Sequence, residues 1–282
     1  MYSSGFLKMD DASFEKLSSF ITRQYGIKLP AAKKSMLESR LNKKVLSLGF
    51  DSYQPFLAYI FGKEGRVKEL PNVVDLITTN KTDFFREPGH FEYLTQNFLP
   101  GYKTNNRHRP LKVWSAACST GEEPYTILMV LEEFRKANLP FCYSITASDI
   151  STRTLQAAYQ GIYSYDRISM LPDHLKRSYF LKSKDPANSC VRIKPEYRKK
   201  ISYKRVNLVY DLDMPVSMSF DLIFCRNVLI YFDKSTQEKV INRLARYLRP
   251  GGLLFLGHSE STLGMTVPFK QVSPTIYRNT YE

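Results

Sequence analysis

From Leu111 onward the chain alternates short apolar runs with polar stretches long enough to be helices. The runs are LKVWSAA (111–117), YSITASDI (143–150), KRVNL (204–208), FDLIFC (220–225) and GLLFLGH (252–258). Between them, Glu122 to Lys136, Thr152 to Tyr159 and Thr236 to Leu248 carry helical patterning, the last ending in the turn Arg249-Pro250-Gly251-Gly252. Strands separated by helices run parallel and are covered on both faces, so the expected class is α/β. The tail FKQVSPTIYRN (269–279) predicts a final edge strand. One stretch breaks the rhythm. Cys190 to Arg205 reads as an alternating pair, Val191 and Ile193 against Ile201 and Tyr203, with turns at Pro186 to Ser189 and Pro195 to Tyr197. That pattern predicts a small antiparallel subdomain inserted at about 178–205.

Ahead of the sheet the period is helical. Phe14, Leu17, Phe20 and Ile21 share one face of a helix over Asp11 to Tyr25, stopped by Gly26. A second helix over Ala31 to Leu48 turns Met36, Leu37, Leu41 and Val45 inward and ends at Gly49. Further helices follow around Tyr53 to Phe61 and Val67 to Thr79. The chain thus divides into an all-α domain, 1–76, and a sheet domain, 77–282. On the outer face of the second helix Lys33, Lys34, Arg40, Lys43 and Lys44 meet one nearby acid, Glu38. A solvated face and a docking surface are both open readings of that charge.

The whole chain is basic, with 41 Lys and Arg against 27 Asp and Glu and a formal net charge of +14. That favours nucleic acid, an anionic membrane surface or an acidic protein as partner. Four cysteines without a C-x-x-C pair indicate neither a zinc site nor a disulfide framework. The N-terminus lacks a basic region followed by an apolar one, and no run approaches the ~18 apolar residues of a spanning helix. A soluble cytoplasmic protein is expected.

In an open parallel sheet, ligands sit at the carboxyl ends of the strands beside the point where strand order reverses. The turn after the first strand, SAACSTGEEPY (115–125), is built of small residues that admit a ligand close to the backbone. It has one glycine where the dinucleotide fingerprint has three, and no phosphate loop, so NAD and ATP are not expected. Glu122 and Glu123 suit a ligand with a cationic group, or else complement the helix dipole. Asp149 ends the second strand where doubly wound folds bind ribose hydroxyls; capping the helix near Ser151 is the competing role. Asn207 and Asn227 end two further strands, where an amide reads a base edge or closes a turn. Just before the sheet, TTNKTDFFREPGHF (78–91) offers Asn80, Thr82 and Arg86, whose guanidinium can fork onto a carboxylate. Ribose, a cationic centre and a free carboxylate together describe S-adenosylmethionine.

That motif, with VWSAACSTGEEPYT (113–126), ASDISTRTLQAAYQGIY (147–163), FDLIFCRNVLIYFDKSTQEKV (220–240) and LRPGGLLFLGHSES (248–261), resembles the chemotaxis receptor methyltransferases of the CheR family, from about Asp11 to Tyr277. The resemblance implies a receptor-recognising helical domain followed by a Rossmann-like S-adenosylmethionine-dependent methyltransferase domain with a β-subdomain insertion. It implies O-methylation of glutamate side chains on the cytoplasmic helices of bacterial chemoreceptors, with S-adenosylhomocysteine as the other product. Carried over, the cofactor residues are Asn80, Thr82, Arg86, an acid of the GEE turn (Glu122 or Glu123), Asp149, Asn207, Leu208, Asn227 and Val228. Arg226 and Tyr231 flank the methyl position. Arg86 and Tyr231 are the catalytic candidates: Arg86 holds the cofactor's carboxylate or orients the incoming glutamate, and Tyr231 hydrogen-bonds the acceptor.

The basic helix, 31–48, then acquires acidic receptor helices as its partner. In some relatives the β-subdomain grips a receptor C-terminal peptide by strand addition, but the loop Pro186 to Ser189 lacks the glycines of that mode. A monomer with no nucleic-acid partner and no membrane insertion is expected. The rival readings are a non-catalytic S-adenosylmethionine-binding signalling module and a nucleic-acid methyltransferase. Against the second, RNVLIY stands where an Asn-Pro-Pro-Tyr-like motif belongs. His90, His108, His174 and His258 show no metal-ligand spacing with acids, so no metal is expected. Cys225, Trp114, Phe84 and Phe85 read as core.

Overall fold

The computed structural model describes residues 6–78, 80–105, 109–138, 140–185, 188–210, 214 and 218–281. Asp10 starts α1 (Asp11–Tyr25) by accepting the Ser13 amide at 2.8 Å, and Gly26, at φ 70°, ends it. A Cβ at Gly26 would lie 2.6 Å from Val209 and 3.2 Å from Phe232, so the glycine turns the chain and also lets the two domains close together. After a 3₁₀ turn at Ala31–Lys33, α2 (Lys34–Ser47) buries Leu37, Leu41 and Val45 completely. It packs with α1, α3 (Tyr53–Phe61) and α5 (Leu70–Ile77) around a separate apolar core, and the short α4 (Lys63–Lys68) links α3 to α5 outside it. The single helix expected over Val67 to Thr79 is two helices. Pro71, in the first turn of α5, has no amide to donate back, and the chain breaks at Glu69. Thr79 lies outside the described residues, as does His108.

The basic face of α2 is less free than its composition implies. Lys34 pairs with Asp11 at 2.6 Å, Lys44 with Glu69 at 2.5 Å, and Arg40 donates to the carbonyls of Ile77 and Thr78. Glu38 does not face those cations; it is buried and accepts the Met9 amide at 2.8 Å. Lys43 is exposed, and Lys33 overhangs the Tyr231 ring at 5.7 Å.

Short helices α6 (Gly89–Tyr93) and α7 (Leu99–Asn105) lead into the second domain. Its strands are β1 (Leu111–Ala116), β2 (Tyr143–Asp149), β3 (Ile162–Ser164), β4 (Phe180–Lys182), β5 (Cys190–Ile193), β6 (Ile201–Arg205), β7 (Phe220–Cys225), β8 (Leu248–Leu256), β9 (Phe269–Ser273) and β10 (Ile276–Asn279). Its helices are α8 (Glu122–Ala137), α9 (Thr152–Gln160), α10 (Asp173–Tyr179), α11 (Pro195–Arg198) and α12 (Lys234–Ala245). Seven strands form one sheet in the order β6-β2-β1-β7-β8-β10-β9. The first five are parallel, as expected, with Val113 of β1 in register with Ile145 of β2 and Leu222 of β7. The chain winds outward from β1 to β2 and β6, then returns to the other side of β1 at β7. Strand order therefore reverses at β1, and the carboxyl ends of β1, β2, β6 and β7 share one edge.

Three expectations change. Cys190 to Arg205 is not a hairpin: β6 joins the large sheet parallel to β2, and β5 instead sits between β3 and β4 in a separate antiparallel sheet. The alternation of Ile201 and Tyr203 belongs to an edge strand, and α11 separates β5 from β6. The tail is a hairpin of two strands, with β10 against β8 and β9 at the edge. The turn Arg249 to Gly252 lies inside β8, where the register against β7 jumps between Phe220 and Leu222. Pro186 and Ala187, in the loop read for peptide tethering, lie outside the described residues. Among the described residues no helix is long and apolar enough to cross a membrane.

Candidate active site

At the carboxyl edge of the sheet lies a cavity with about 1180 Å³ of empty space, open mouth included. Its walls come from both domains. The helical domain supplies Tyr25, Ile27, Leu29, Lys33, Met36 and Ile77, and the segment ahead of α6 supplies Asn80, Thr82 and Arg86. The sheet supplies Ala117, Ser119 and Glu123 after β1, Asp149 at the end of β2, Asn207 and Leu208 after β6, and Arg226, Asn227, Val228 and Tyr231 after β7. Every site residue expected from the sequence lines this cavity except Glu122.

Adjacent acids have opposite orientations. Glu122 is buried away from the cavity, where it accepts from Thr120 Oγ1 at 2.6 Å and is ion-paired to Arg167. Glu123 faces the cavity, accepting from Ser115 Oγ at 2.7 Å and from Arg226 Nη1 at 3.1 Å. Burial raises the Glu123 pKa against the pull of Arg226 and Ser115. Both acids lie in the first turn of α8, where they also complement its dipole, and the cap is Gly121 at φ 98°. A Cβ there would lie 2.8 Å from Ala158, so that glycine is required by the packing of the turn on α9.

Asp149 is buried and is not the helix cap. Ser151 caps α9, accepting the Thr154 amide at 3.1 Å. Asp149 accepts the Ser119 amide at 2.8 Å on one oxygen and the Ser151 amide at 3.0 Å on the other. Burial raises its pKa while those amides oppose the rise. The Thr154 hydroxyl and the Ile150 amide also act on this carboxylate, which lines the cavity where a donor such as a vicinal hydroxyl can approach it. Ser119 is held for this by a left-handed backbone, φ 50°, and by its own hydroxyl bond to the Asn80 carbonyl at 2.9 Å.

Arg226 and Arg86 differ in what they already hold. Arg226, 6 % exposed, donates to Glu87 at 3.0 Å, to Glu123 and to the Arg86 carbonyl. Arg86 donates to the Lys81 carbonyl at 3.0 Å, and among the described residues no carboxylate pairs with it. Thr82 turns its carbonyl to Arg167, and Asn80 Nδ2 reaches Thr78 Oγ1 at 3.4 Å. Asn207 joins the domains, donating to the Gln24 carbonyl at 2.9 Å and accepting the Val209 amide at 3.0 Å. Asn227 stands at φ 57°, its side chain on Glu87 at 3.1 Å. The Tyr231 carbonyl accepts the Lys28 amide at 2.9 Å.

Sequence reasoning passed over three parts of this site. Glu260, buried, accepts the amides of Gly257, Asn227 and Leu229 and so holds the turn after β7. Ala117 and Ser119 shape the first turn through positive φ, a role visible beforehand only as small residues. Glu87 draws Arg226, Asn227 and the His258 amide together; burial works against its ionisation, yet those donors hold its pKa below the ordinary value. Cys225, Trp114 and Phe84 are core, as expected. The histidine expectation changes, since His90 and His258 do meet an acid, Glu87.

The lining fits S-adenosylmethionine: an apolar wall for a base, a buried acid for hydroxyls, a carboxylate toward a cation, and an unpaired guanidinium for a carboxylate. Comparisons with known proteins agree. The family model described as "CheR methyltransferase, SAM binding domain" matches residues 80–278, and "CheR methyltransferase, all-alpha domain" matches 12–78. The chemotaxis protein methyltransferase of Borreliella burgdorferi is 37 % identical over 267 residues, 93 % of this chain and 92 % of its own. Chemotaxis protein methyltransferase 2 of Pseudomonas aeruginosa is 37 % identical over 264 residues, 94 % of this chain and 91 % of its own. The Escherichia coli chemotaxis protein methyltransferase is 35 % identical, covering 96 % and 92 %. With both family domains matched in order and relatives 35–37 % identical over nearly the whole chain, it belongs to the CheR methyltransferase family, S-adenosylmethionine-dependent methyltransferases of chemotaxis.

Proposed function

We propose that this chain methylates glutamate side chains on the cytoplasmic helices of chemoreceptors, forming glutamate methyl esters. S-adenosylmethionine, when bound, supplies an electrophilic methyl group on a sulfonium centre. Asp149 would bind the ribose hydroxyls, Glu123 would face the cationic part, and Arg86 would hold the amino-acid carboxylate. Asn80, Thr82, Asn207, Leu208, Asn227 and Val228 would complete the cradle. A glutamate with an ordinary pKa near 4.3 is already an anion at neutral pH, so its oxygen attacks without a general base. Positioning then supplies the acceleration, on the order of 7–11 kcal/mol for well-oriented reactants. Tyr231 would donate its hydroxyl to the acceptor carboxylate, and the Lys33 ammonium over its ring draws that anion in.

The observation that carries this reading is that Arg86, without an acid partner, and Tyr231, under a lysine, open on the same cavity as Asp149. In this reading 1–76 recognises the receptor in the cytoplasm and 77–282 performs the transfer, with the enzyme acting as a monomer. Lys33 and Lys43 would meet the acidic receptor helix, because Lys34, Arg40 and Lys44 are held by partners within the domain. Tritium from labelled S-adenosylmethionine is expected in receptor cytoplasmic fragments and released by base as methanol. Label in nucleic acid, or a base-stable product, would contradict the proposal.

A further inference from the structure

Beside the Arg226 pair, Glu87, His90 and His258 each present one ligand-type atom, and these three atoms lie within 4.8 Å of one another. They come from the turn before α6, from α6 itself and from the residues after β8. His258 is exposed, whereas the His90 side chain is 3 % exposed.

One ring nitrogen of His90 is anchored and the other is not. Its Nε2 lies 2.8 Å from Thr275 Oγ1, and that hydroxyl donates to the Pro274 carbonyl at 2.8 Å. With its proton on that carbonyl the hydroxyl can accept from His90 Nε2, the tautomer that leaves Nδ1 as an acceptor. Nδ1 is buried and without a hydrogen-bond partner, with Glu87 Oε2 3.7 Å away. In that tautomer a buried lone pair faces a carboxylate, which is unfavourable unless an electropositive species lies between them. A hydroxyl or carbonyl on the far nitrogen is also how a metal-binding imidazole is commonly oriented.

We propose that Glu87, His90 and His258 form a site for a zinc-like divalent transition metal. Two imidazoles and one carboxylate are the donor set of an open tetrahedral zinc site, and nitrogen ligands disfavour calcium and magnesium. Closing the three atoms to bonds of about 2.0–2.2 Å requires the exposed His258 ring to swing inward over Glu87. The metal acts on the cavity through Glu87. The same Oε2 accepts from Arg226 Nη2 at 3.0 Å, and the other acid held by Arg226 is Glu123. A cation on Oε2 repels Arg226 toward the cavity wall and so lowers methyl transfer. Binding is independent of the methyl-transfer reading; the inhibitory consequence rests on it.

The test titrates cobalt(II), then zinc(II), into the chelator-treated full chain. Cobalt reports ligation through its visible bands with no methyl transfer required. The expected result is the intense spectrum of a low-coordinate ion at one ion per chain, displaced by zinc and absent from His258→Ala. That variant alters an exposed side chain outside the cavity lining, so its metal-free turnover stays at the wild-type level. Zinc inhibition in it weakens about tenfold or more, the usual scale for a lost metal contact. A wild-type spectrum of hexaaqua cobalt alone, or unchanged bands in His258→Ala, would overturn the site. Full bands with zinc-insensitive turnover would overturn the coupling through Arg226.

Discussion

Helix α8 carries buried glutamates toward both of its ends and surrounds them in opposite ways. Toward the cavity, Glu123 and Glu87 share one guanidinium, that of Arg226, and burial leaves Glu123 raised. Near the far end, the Glu132 side chain is 1 % exposed and meets Arg135 at 2.9 Å, Lys200 at 2.5 Å and the Tyr143 hydroxyl. Burial pushes Glu132 up, but those three donors outweigh it and bring its pKa to about 2. One cluster has more anions than cations and the other more cations than anions. The first suits a cationic ligand, while the second is closed structure whose charges already have partners.

The two clusters differ most in their dependence on a single residue, Arg226. Arg226→Met leaves two buried carboxylates without their cation and is expected to cost about 3–5 kcal/mol, read from chemical denaturation. A loss below about 1 kcal/mol would mean that the cluster is held by other contacts. Glu132→Gln is expected to cost about 2 kcal/mol at neutral pH. The folded pKa of Glu132 lies below its ordinary 4.5, so its contribution is full above that value and fades as pH falls toward 2. Stability measured from pH 5 to pH 2 should therefore fall less steeply in Glu132→Gln than in wild type, and parallel curves would contradict the assignment. Arg86→Ala removes a cation without an acid partner. It should weaken S-adenosylmethionine binding about tenfold by calorimetry, the scale of one charge-assisted hydrogen bond, with little change in melting temperature. Unchanged affinity with lost turnover would move Arg86 from the cofactor to the acceptor. Lys43→Glu is the mildest: receptor methylation should slow a few-fold with weaker salt dependence, and cofactor affinity should not move.

The sequence disclosed the parts of this molecule that repeat a local pattern. The five parallel strands are apolar runs bounded by helices, and the residues after them fall on one sheet edge because parallel strands end together. Asp149, Asn207, Asn227 and Arg226 were legible for that reason. The small sheet was not: β3 and β4 are three residues each, too short to show alternation, and β5 finds them through tertiary contact. Side-chain direction was hidden as well. Glu122 and Glu123 are neighbours with identical chemistry, and only the partners Arg167 and Arg226, distant in sequence, separate their roles. The charge count on α2 overstated the free charge, since Asp11, Glu69 and the carbonyls at the C-terminal end of α5 occupy Lys34, Lys44 and Arg40. His90 and His258 lie far apart in the chain and meet only because the start of α6 lies beside the residues that follow β8.

The surplus of negative charge beside the cavity is tested most directly by titrating S-adenosylmethionine and S-adenosylhomocysteine into wild type and Glu123→Gln by calorimetry. The two ligands differ by the methyl group and the sulfonium charge. If Glu123 faces that charge, the variant loses about tenfold in affinity for S-adenosylmethionine and stays within about twofold for S-adenosylhomocysteine. An equal loss for both ligands, or none for either, would contradict it.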